Sequence, residues 1–167
     1  MSILLTSTII CQNTDMSQEQ SGIDLKTSLG YLLKQAASAL RSAMEAELRP
    51  LEMTVTQYSC LELLAQRPGL SNSELARGAF VSRQSMNVLL QSLERDGYVT
   101  RPAEPPVGRV LPTRLTPLGS RKLAKATRAV KSVEDRMLEA LDDSQRAVAR
   151  RALHNFISSL DSADALG

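Results

Sequence analysis

Amide and hydroxyl side chains are concentrated between Ser82 and Gly97, and their types suit hydrogen bonding to the edges of nucleic-acid bases. The set comprises Gln84, Ser85, Asn87 and Gln91. Gln and Asn each present a donor and an acceptor in one plane, which matches the N6 and N7 positions of adenine in the DNA major groove. The segment therefore favours base recognition, provided that a helix holds these side chains on one exposed surface.

The apolar residues of the same segment indicate such a helix. They recur at i, i+3, i+4 and i+7, which is the spacing of a helix face directed at a core. These residues are Met86, Leu89, Leu90 and Leu93, and the opposite face carries Gln84, Val88, Gln91 and Arg95. Ser82 is a suitable N-cap and Gly97 a suitable end, so we predict a helix from Arg83 to Asp96.

A second, shorter helix is predicted immediately before this one. Ser71 and Glu74 can each bond the backbone N–H of the other residue, which is a capping box. We expect a helix from Asn72 to about Gly78, where the missing Cβ lets the backbone turn, and we expect Ala79-Phe80-Val81 to place apolar side chains under that turn. Two helices joined in this way form a helix-turn-helix, whose second helix enters the major groove.

Two strand-like segments follow Gly97 and are separated by a Pro-rich loop. Tyr98–Arg101 and Val110–Thr116 have the β-branched and aromatic bias of strands, and Pro112 restricts the second to an edge position or a bulge. This hairpin would be the wing of a winged helix-turn-helix. Arg109 near its tip is predicted to enter the minor groove. The alternative is that Arg109 is a solvent-exposed loop residue that contacts no DNA. The predicted DNA-binding residues are Ser82, Arg83, Gln84, Ser85, Asn87, Val88, Gln91, Arg101 and Arg109.

Charge and composition agree with a DNA-binding protein and argue against other classes. The 167-residue chain has a net charge of only +2, but residues 71 to 122 hold eight Lys or Arg against four Asp or Glu, a local balance of +4. Cys11 and Cys60 are far apart and do not resemble a disulfide framework, which favours the cytoplasm. No Gly-rich phosphate loop, nucleophile with His and acid partners, or metal-ligand spacing is present, so we expect no enzymatic activity, cofactor or metal. His154 is expected at a dimer interface or on the surface.

Long amphipathic patterns flank the predicted winged module on both sides. Residues 25 to 48 and 123 to 141 carry apolar side chains at helical spacing, a capping box from Thr54 to Gln57 opens a helix that stops at Pro68-Gly69, and Asp142 opens a last helix. The terminal helices have more apolar surface than the module can cover. Either the chain folds its ends back on itself, or two chains intertwine them. We favour the homodimer, because a two-fold pair reads two half-sites of a pseudo-palindromic operator.

The resulting fold class is mainly α with a small β-hairpin wing. The winged helix-turn-helix domain is predicted to span residues 52–117, and the helical dimerisation region residues 24–48 and 118–163. Residues 1–22 are predicted to be a flexible tail. Their apolar run from Ile3 to Cys11 lacks a preceding Lys or Arg and a small-residue cleavage pattern, and it is shorter than the roughly 20 residues of a membrane span. Met16 is an alternative start of translation.

By its motifs, the chain resembles the multiple-antibiotic-resistance regulator (MarR) family of bacterial winged-helix transcription factors. The resemblance covers about residues 25 to 162, and its motifs are TVTQYSCLELL (54–64), LSNSELA (70–76), VSRQSMNVLLQSLERDG (81–97) and RVLPTRLTPLG (109–119). It implies a triangular dimer built from the first and last helices, and repression of nearby genes that a small molecule relieves. It also implies a ligand crevice near the first, second and fifth helices, where Tyr31, Arg41 and Tyr58 could bind a small aromatic acid.

The chain departs from the family pattern at two places. Members usually carry an Asp-Arg-Arg-like wing motif, of which only Arg109 remains here. Val88 stands where the family frequently has Arg, which shifts the expected DNA contacts to Arg83, Gln84, Ser85 and Asn87.

Two other functions stay open on the sequence alone. One is a winged-helix module that binds a protein, such as an antirepressor, against which the local positive charge argues. The other is a regulator that senses oxidants through Cys60 or Cys11. A reactive thiol needs an electropositive and accessible setting, and no basic neighbour of Cys60 is evident in the sequence.

Overall fold

The computed structural model describes residues 22–102 and 112–164, which form six α-helices, a 3₁₀ turn at Arg49–Leu51 and a two-stranded antiparallel sheet. The elements are α1 (Leu29–Leu48), α2 (Val55–Gln66), α3 (Asn72–Gly78), α4 (Arg83–Arg95), β1 (Val99–Thr100), β2 (Arg114–Leu115), α5 (Pro117–Leu138) and α6 (Asp143–Asp164). The predicted fold class, mainly α with a β-hairpin wing, is confirmed. The predicted tail and the hairpin tip with Arg109 lie outside the described residues.

Helix α1 begins later than the apolar periodicity predicts. The periodicity includes Leu25, but α1 starts at Leu29 with Ser28 as its N-cap. The reason is Asp24, whose carboxylate accepts the Lys26 N–H at 3.0 Å and the Thr27 hydroxyl at 2.9 Å. Such a local turn competes with helix formation, and it leaves Leu25 exposed.

The core lies where α2, α3 and α4 pack together against β1 and α5. Its fully or almost fully buried side chains include Leu48, Cys60, Leu61, Leu64, Leu75, Met86, Leu90, Leu93 and Ala126. Both predicted capping boxes are present: the Thr54 N–H donates to Gln57 Oε1, and the Ser71 N–H to Glu74 Oε2, each at 2.8 Å. These caps define where α2 and α3 start and hence which faces meet in the core.

The wing strands are shorter than predicted. Val99 pairs with Leu115 and Thr100 with Arg114, and the ladder extends no further within the described residues. Pro112 precedes the ladder, as expected for a residue without an N–H. Instead of continuing the hairpin, Thr113 accepts the Gly69 N–H at 3.0 Å, so the base of the wing is attached to the loop between α2 and α3.

Gly119 brings α5 close to the wing. A Cβ at this position would lie 2.0 Å from the Tyr98 carbonyl oxygen, so only glycine permits the observed approach. Thr116 is the N-cap of α5: its hydroxyl accepts the Gly119 N–H at 3.0 Å and donates to the Gly97 carbonyl oxygen at 2.6 Å. The end of α4, the wing and the start of α5 are thereby held as one unit.

Helices α5 and α6 differ in how they pack. Helix α5 lies along α1 and α2, whereas none of the residues 143 to 161 of α6 is fully buried. The predicted cap of α6 is present, since the Gln145 N–H donates to Asp142 Oδ1 at 2.8 Å. Arg146 donates to the carbonyl oxygens of Leu138 and Leu141, both at 2.9 Å, and so satisfies the C-terminal end of α5. Within the described ranges, no helix combines the length and apolarity needed to cross a membrane.

Candidate DNA-binding surface and ligand cleft

Helix α4 divides into a buried face and an exposed face, as its periodicity predicts. Met86, Leu90 and Leu93 are buried in the core and Leu89 is partly buried. The exposed face includes all predicted base-reading residues: Arg83, Gln84, Ser85, Asn87, Val88 and Gln91. This arrangement presents a continuous polar strip on the outside of the helix-turn-helix.

The polar side chains of α4 are not equally free to bind a ligand. The Ser82 hydroxyl caps the helix by accepting the Ser85 N–H at 3.0 Å, and the two hydroxyls bond each other at 2.8 Å. By contrast, the side chains of Gln84, Asn87 and Gln91 have no hydrogen-bond partner among the described residues. The three amides are therefore the groups most available for base edges, while Ser82 and Ser85 hold the end of the helix.

Val88 adds an apolar contact point to this strip. Its side chain is 62% exposed, and it lies one turn from Gln84. An exposed aliphatic group in a major-groove helix matches the C5-methyl group of thymine. The strip therefore combines amide groups with one exposed methyl surface.

The angle between α3 and α4 is held by a residue that the sequence interpretation missed. The Asn72 Nδ2 at the start of α3 donates to the Arg83 carbonyl oxygen at the start of α4, at 3.1 Å. This bond links residues eleven positions apart across the turn. An asparagine at the first position of a helix is the only sequence signal for it, and that signal does not identify the partner.

The turn between the two helices differs from the predicted one. Helix α3 does end at Gly78, but Gly78 does not supply the left-handed residue, and the Cβ missing there instead makes room for Leu63. The left-handed residue is Phe80, with φ of 55°. The expectation that Phe80 lies under the turn is wrong, because its side chain is 93% exposed.

The arginines near the wing have different surroundings. Arg101 donates through Nε to Glu94 Oε2 at 3.1 Å, and its side chain is only 17% exposed. It thus ties β1 to α4, and a role in positioning the wing fits it better than the predicted direct contact with DNA. Arg114 is exposed on β2, next to the segment with Arg109 that is not described.

The three candidate ligand-binding residues lie in different surroundings. Arg41 lines a cleft of about 520 Å³ where α1 meets α2, together with Glu45, Arg49, Glu52, Met53, Thr54 and Thr56. Tyr31 lies on the exposed N-terminal part of α1, about 15 Å further along the helix at 1.5 Å per residue. Tyr58 is partly buried on α2 near Thr127 of α5, and burial, followed by the charge of Glu62, raises its pKa. Arg49 and the two threonines were not predicted from the sequence to bind a ligand.

The setting of Cys60 bears on thiol-based sensing. The side chain is fully buried, and this burial raises the pKa of its thiol to about 12. The thiol is therefore protonated at neutral pH, whereas a redox sensor requires an accessible thiolate. Cys11 lies outside the described residues. Among the residues described, no cluster of three His, Cys, Asp or Glu side chains could hold a metal ion.

The outer helices expose apolar side chains on one face each. On α1 this face includes Leu29, Leu32 and Leu33, and on α6 Val148, Leu153, Phe156, Ile157 and Leu160, while Tyr31 is exposed on another side of α1. Near the ends of these helices a cleft of about 260 Å³ lies between Leu33 and Phe156. His154 is exposed on α6 of the protomer, which fits both positions expected for it, a dimer interface and the surface.

Comparison with known proteins identifies one family. The model of the MarR family matches residues 51–110. The HTH-type transcriptional repressor Rv2887 of Mycobacterium tuberculosis is 42% identical over 125 residues, which cover 75% of this chain and 90% of that protein.

Solved structures of the same relative have the same fold. The crystal structure of Rv2887 with salicylic acid has a TM-score of 0.65 and 40% identity, covering 77% of this chain and 96% of its own. The structure of Rv2887 with DNA has a TM-score of 0.65 and 38% identity, covering 77% and 97%.

Proposed function

The chain belongs to the MarR family of transcriptional regulators, and we propose that it is a homodimeric repressor that binds a pseudo-palindromic operator and is released by a small aromatic acid. The observation that carries the proposal is the exposed strip of α4, which holds Val88 and three amides without a partner among the described residues, above a buried apolar face. Binding to the operator would place the protein in the cytoplasm.

The homodimer is supported by the apolar faces of α1 and α6. Helix α6 is amphipathic over more than five turns, yet no residue from 143 to 161 is buried in the protomer. An isolated helix gains too little from its own hydrogen bonds to be stable in water, so this one requires a surface to cover it. We propose that the α1 and α6 helices of a second copy provide it, which pairs two α4 helices on one duplex.

Within the proposed interface, Gln84 and Asn87 read base edges, Val88 contacts a thymine methyl group, and Ser82 and Ser85 fix the start of α4. Arg83 and Gln91 flank these residues, and we assign them contacts to phosphates and bases. Arg109, predicted from the sequence, engages the minor groove from the wing. The experiment uses a duplex that the wild-type protein selects from a random-sequence pool, and a scrambled duplex.

Asn87→Ala should weaken binding to the selected duplex by about 1 to 3 kcal/mol while leaving the scrambled duplex nearly unaffected. Arg109→Ala should weaken both and lower the slope of log affinity against log salt by roughly one for each phosphate that the variant no longer neutralises. Gln66→Ala, which removes an amide from α2, is the matched control. The DNA-reading assignment is wrong if Asn87→Ala behaves like Gln66→Ala on both duplexes. Failure of the wild type to select any sequence would instead favour a protein partner.

For the effector, we propose a small aromatic carboxylate bound in the cleft beside Arg41. Rv2887 has been crystallised with salicylic acid. This cleft is lined by two arginines, two threonines and the apolar Met53, and also by the carboxylates of Glu45 and Glu52, so a bound carboxylate would have to pair with the arginines in place of these glutamates. Arg41 forms an exposed ion pair with Glu45 at 3.0 Å, so an incoming carboxylate would displace a partner that solvent already screens. The second glutamate of the cleft, Glu52, forms no salt bridge among the described residues.

Salicylate should raise the melting temperature of the wild type and release it from the selected duplex. The double variant Arg41→Ala/Arg49→Ala should lose both effects and still bind DNA. Arg151→Ala, which removes an exposed arginine from α6, should retain both. An unchanged salicylate response in the double variant would show that salicylate does not bind in this cleft. The DNA-binding proposal would not be affected.

A further inference from the structure

The turn between α3 and α4 holds an aromatic residue where the fold favours glycine. The Phe80 N–H donates to the Arg77 carbonyl oxygen at 3.2 Å, and the Val81 N–H to that of Ala76 at 3.0 Å. These two bonds are those of a Schellman motif, in which the residue in the position of Phe80 adopts the left-handed conformation. Phe80 does so, with φ of 55°.

The Phe80 ring stabilises neither the turn nor the core. A side chain with a Cβ is disfavoured in the left-handed region, where glycine is not. The ring is also 93% exposed, so its burial does not offset that penalty, while Val81 packs against the core in the usual way. Strained residues that the surrounding structure holds in place are concentrated at functional sites.

The position of Phe80 indicates what its ring contacts. It lies two residues before Ser82, the N-cap of α4, and the exposed Arg77 and Arg83 precede and follow it in the chain. In the proposed function the start of α4 enters the groove, and this would bring Phe80 to the DNA strand that borders the groove. Flanking positive charge favours a polyanion over an apolar protein surface.

We propose that Phe80 is a DNA-contact residue that packs its ring against deoxyribose and thymine methyl groups at the edge of the major groove, and so sets how far α4 enters. This inference rests on the proposed function. It explains why an exposed ring occupies a strained position: the hydrogen bonds of the turn fix the backbone of Phe80, and DNA buries the ring. Phenylalanine is among the residues that make apolar contacts with thymine.

Substitutions at Phe80 can distinguish the effect of backbone strain from the effect of the contact between the ring and DNA. Phe80→Gly removes the ring and the strain, so it should raise the melting temperature of the free protein by about 2 to 4 °C and weaken binding to the selected duplex at least about tenfold. Phe80→Ala removes the ring but keeps a Cβ, so it should weaken binding equally with little change in melting temperature. Phe80→Tyr should retain binding.

Glu52 offers the matched control, because it is the other non-glycine residue with positive φ among the described residues, at 50°, and lies outside the α3–α4 surface. Glu52→Gly should raise the melting temperature without a tenfold loss of DNA affinity. The inference is overturned if wild type binds the selected duplex and Phe80→Gly and Phe80→Ala bind it equally well, an outcome that would point to a protein partner or a second copy on the ring. If the wild type selects no duplex, the proposed function fails, and the inference fails with it.

Discussion

Helices α4 and α6 are both amphipathic, but they use their two faces differently. Helix α4 buries Met86, Leu90 and Leu93 within its own protomer and presents its polar face outward. Helix α6 leaves its apolar face uncovered, and Leu160 is 71% exposed. A helix whose apolar face is buried in its own protomer can be held rigidly for DNA recognition. A helix whose apolar face is uncovered depends on another chain for its stability. The winged module, whose core includes Leu48 of α1 and Ala126 of α5, is thus expected to be stable in a single chain, whereas α6 is expected to be stable only in the dimer.

Substitution of Gly119 is expected to have the largest effect on the stability of the winged module. Gly119→Ala would place a Cβ 2.0 Å from the Tyr98 carbonyl oxygen, and backbone on both sides would have to move. We expect a loss of at least about 3 kcal/mol in the free energy of unfolding, with DNA binding abolished as well. Gly78→Ala is the control, since its Cβ would meet only the end of the flexible Leu63 side chain at 2.8 Å. Chemical denaturation should separate the two variants clearly, and equal stabilities would contradict the close approach of α5 to the wing.

Charge on the apolar face of α6 should break the dimer while sparing the module. Phe156→Glu places a carboxylate in the face proposed to be covered by the partner, where an unpaired charge is costly. The mass measured by light scattering should fall from about twice 18.2 kDa toward the monomer value, with loss of helical signal from α6. Arg151→Glu also adds a carboxylate to α6, but on the polar side, and should stay dimeric. A dimeric Phe156→Glu protein would show that α6 is not the interface.

The buried thiol of the module should be inert in the native state. A variant with Cys11→Ser isolates Cys60, which should react with a thiol reagent at pH 8 only at the rate of unfolding, since burial raises its pKa to about 12. Because the folded pKa lies above the ordinary value of 9.0, its contribution to stability is complete below pH 9 and is lost as pH rises toward 12. Rapid labelling of the folded dimer would restore the thiol-sensing hypothesis.

The smallest expected effect concerns the caps of α2 and α3, which are alike except for one ionisable group. Hydrogen bonds from Ser71 lower the pKa of Glu74, so this cap contributes stability above the ordinary carboxyl value of 4.5 and loses it as pH falls through the lowered value. The cap of α2 uses Gln57 and does not titrate. Glu74→Gln should therefore keep α3 capped and flatten the acid side of the stability profile slightly. An unaltered profile would mean that the Glu74 carboxylate does not contribute.

Local patterns predicted the elements of the module well. The stripe from Met86 to Leu93 and the caps at Ser71 and Thr54 depend on residues within one or two helical turns, so the sequence contains all the information needed. The identity of the exposed α4 residues follows from the same periodicity.

Features that depend on which partner a residue meets in the fold could not be predicted in this way. Asn72 bonds a carbonyl oxygen eleven residues away, Arg101 pairs with Glu94 on α4, and Gly119 is required by the backbone at Tyr98. The predicted turn is wrong because Gly78 satisfies a rule for helix ends, while the structure places the left-handed residue two positions later at Phe80. The apolar spacing includes Leu25, but α1 starts only at Leu29, because Asp24 competes locally with the helix.

The central claim is that two copies of this chain, joined by α1 and α6, place two α4 helices on one duplex. Native mass spectrometry and footprinting of the wild type on a selected duplex test it most directly. We predict two chains per duplex and two protected half-sites about 10 base pairs apart, with affinity that falls steeply as salt rises. One chain per duplex, or equal affinity for selected and scrambled DNA, would contradict this account.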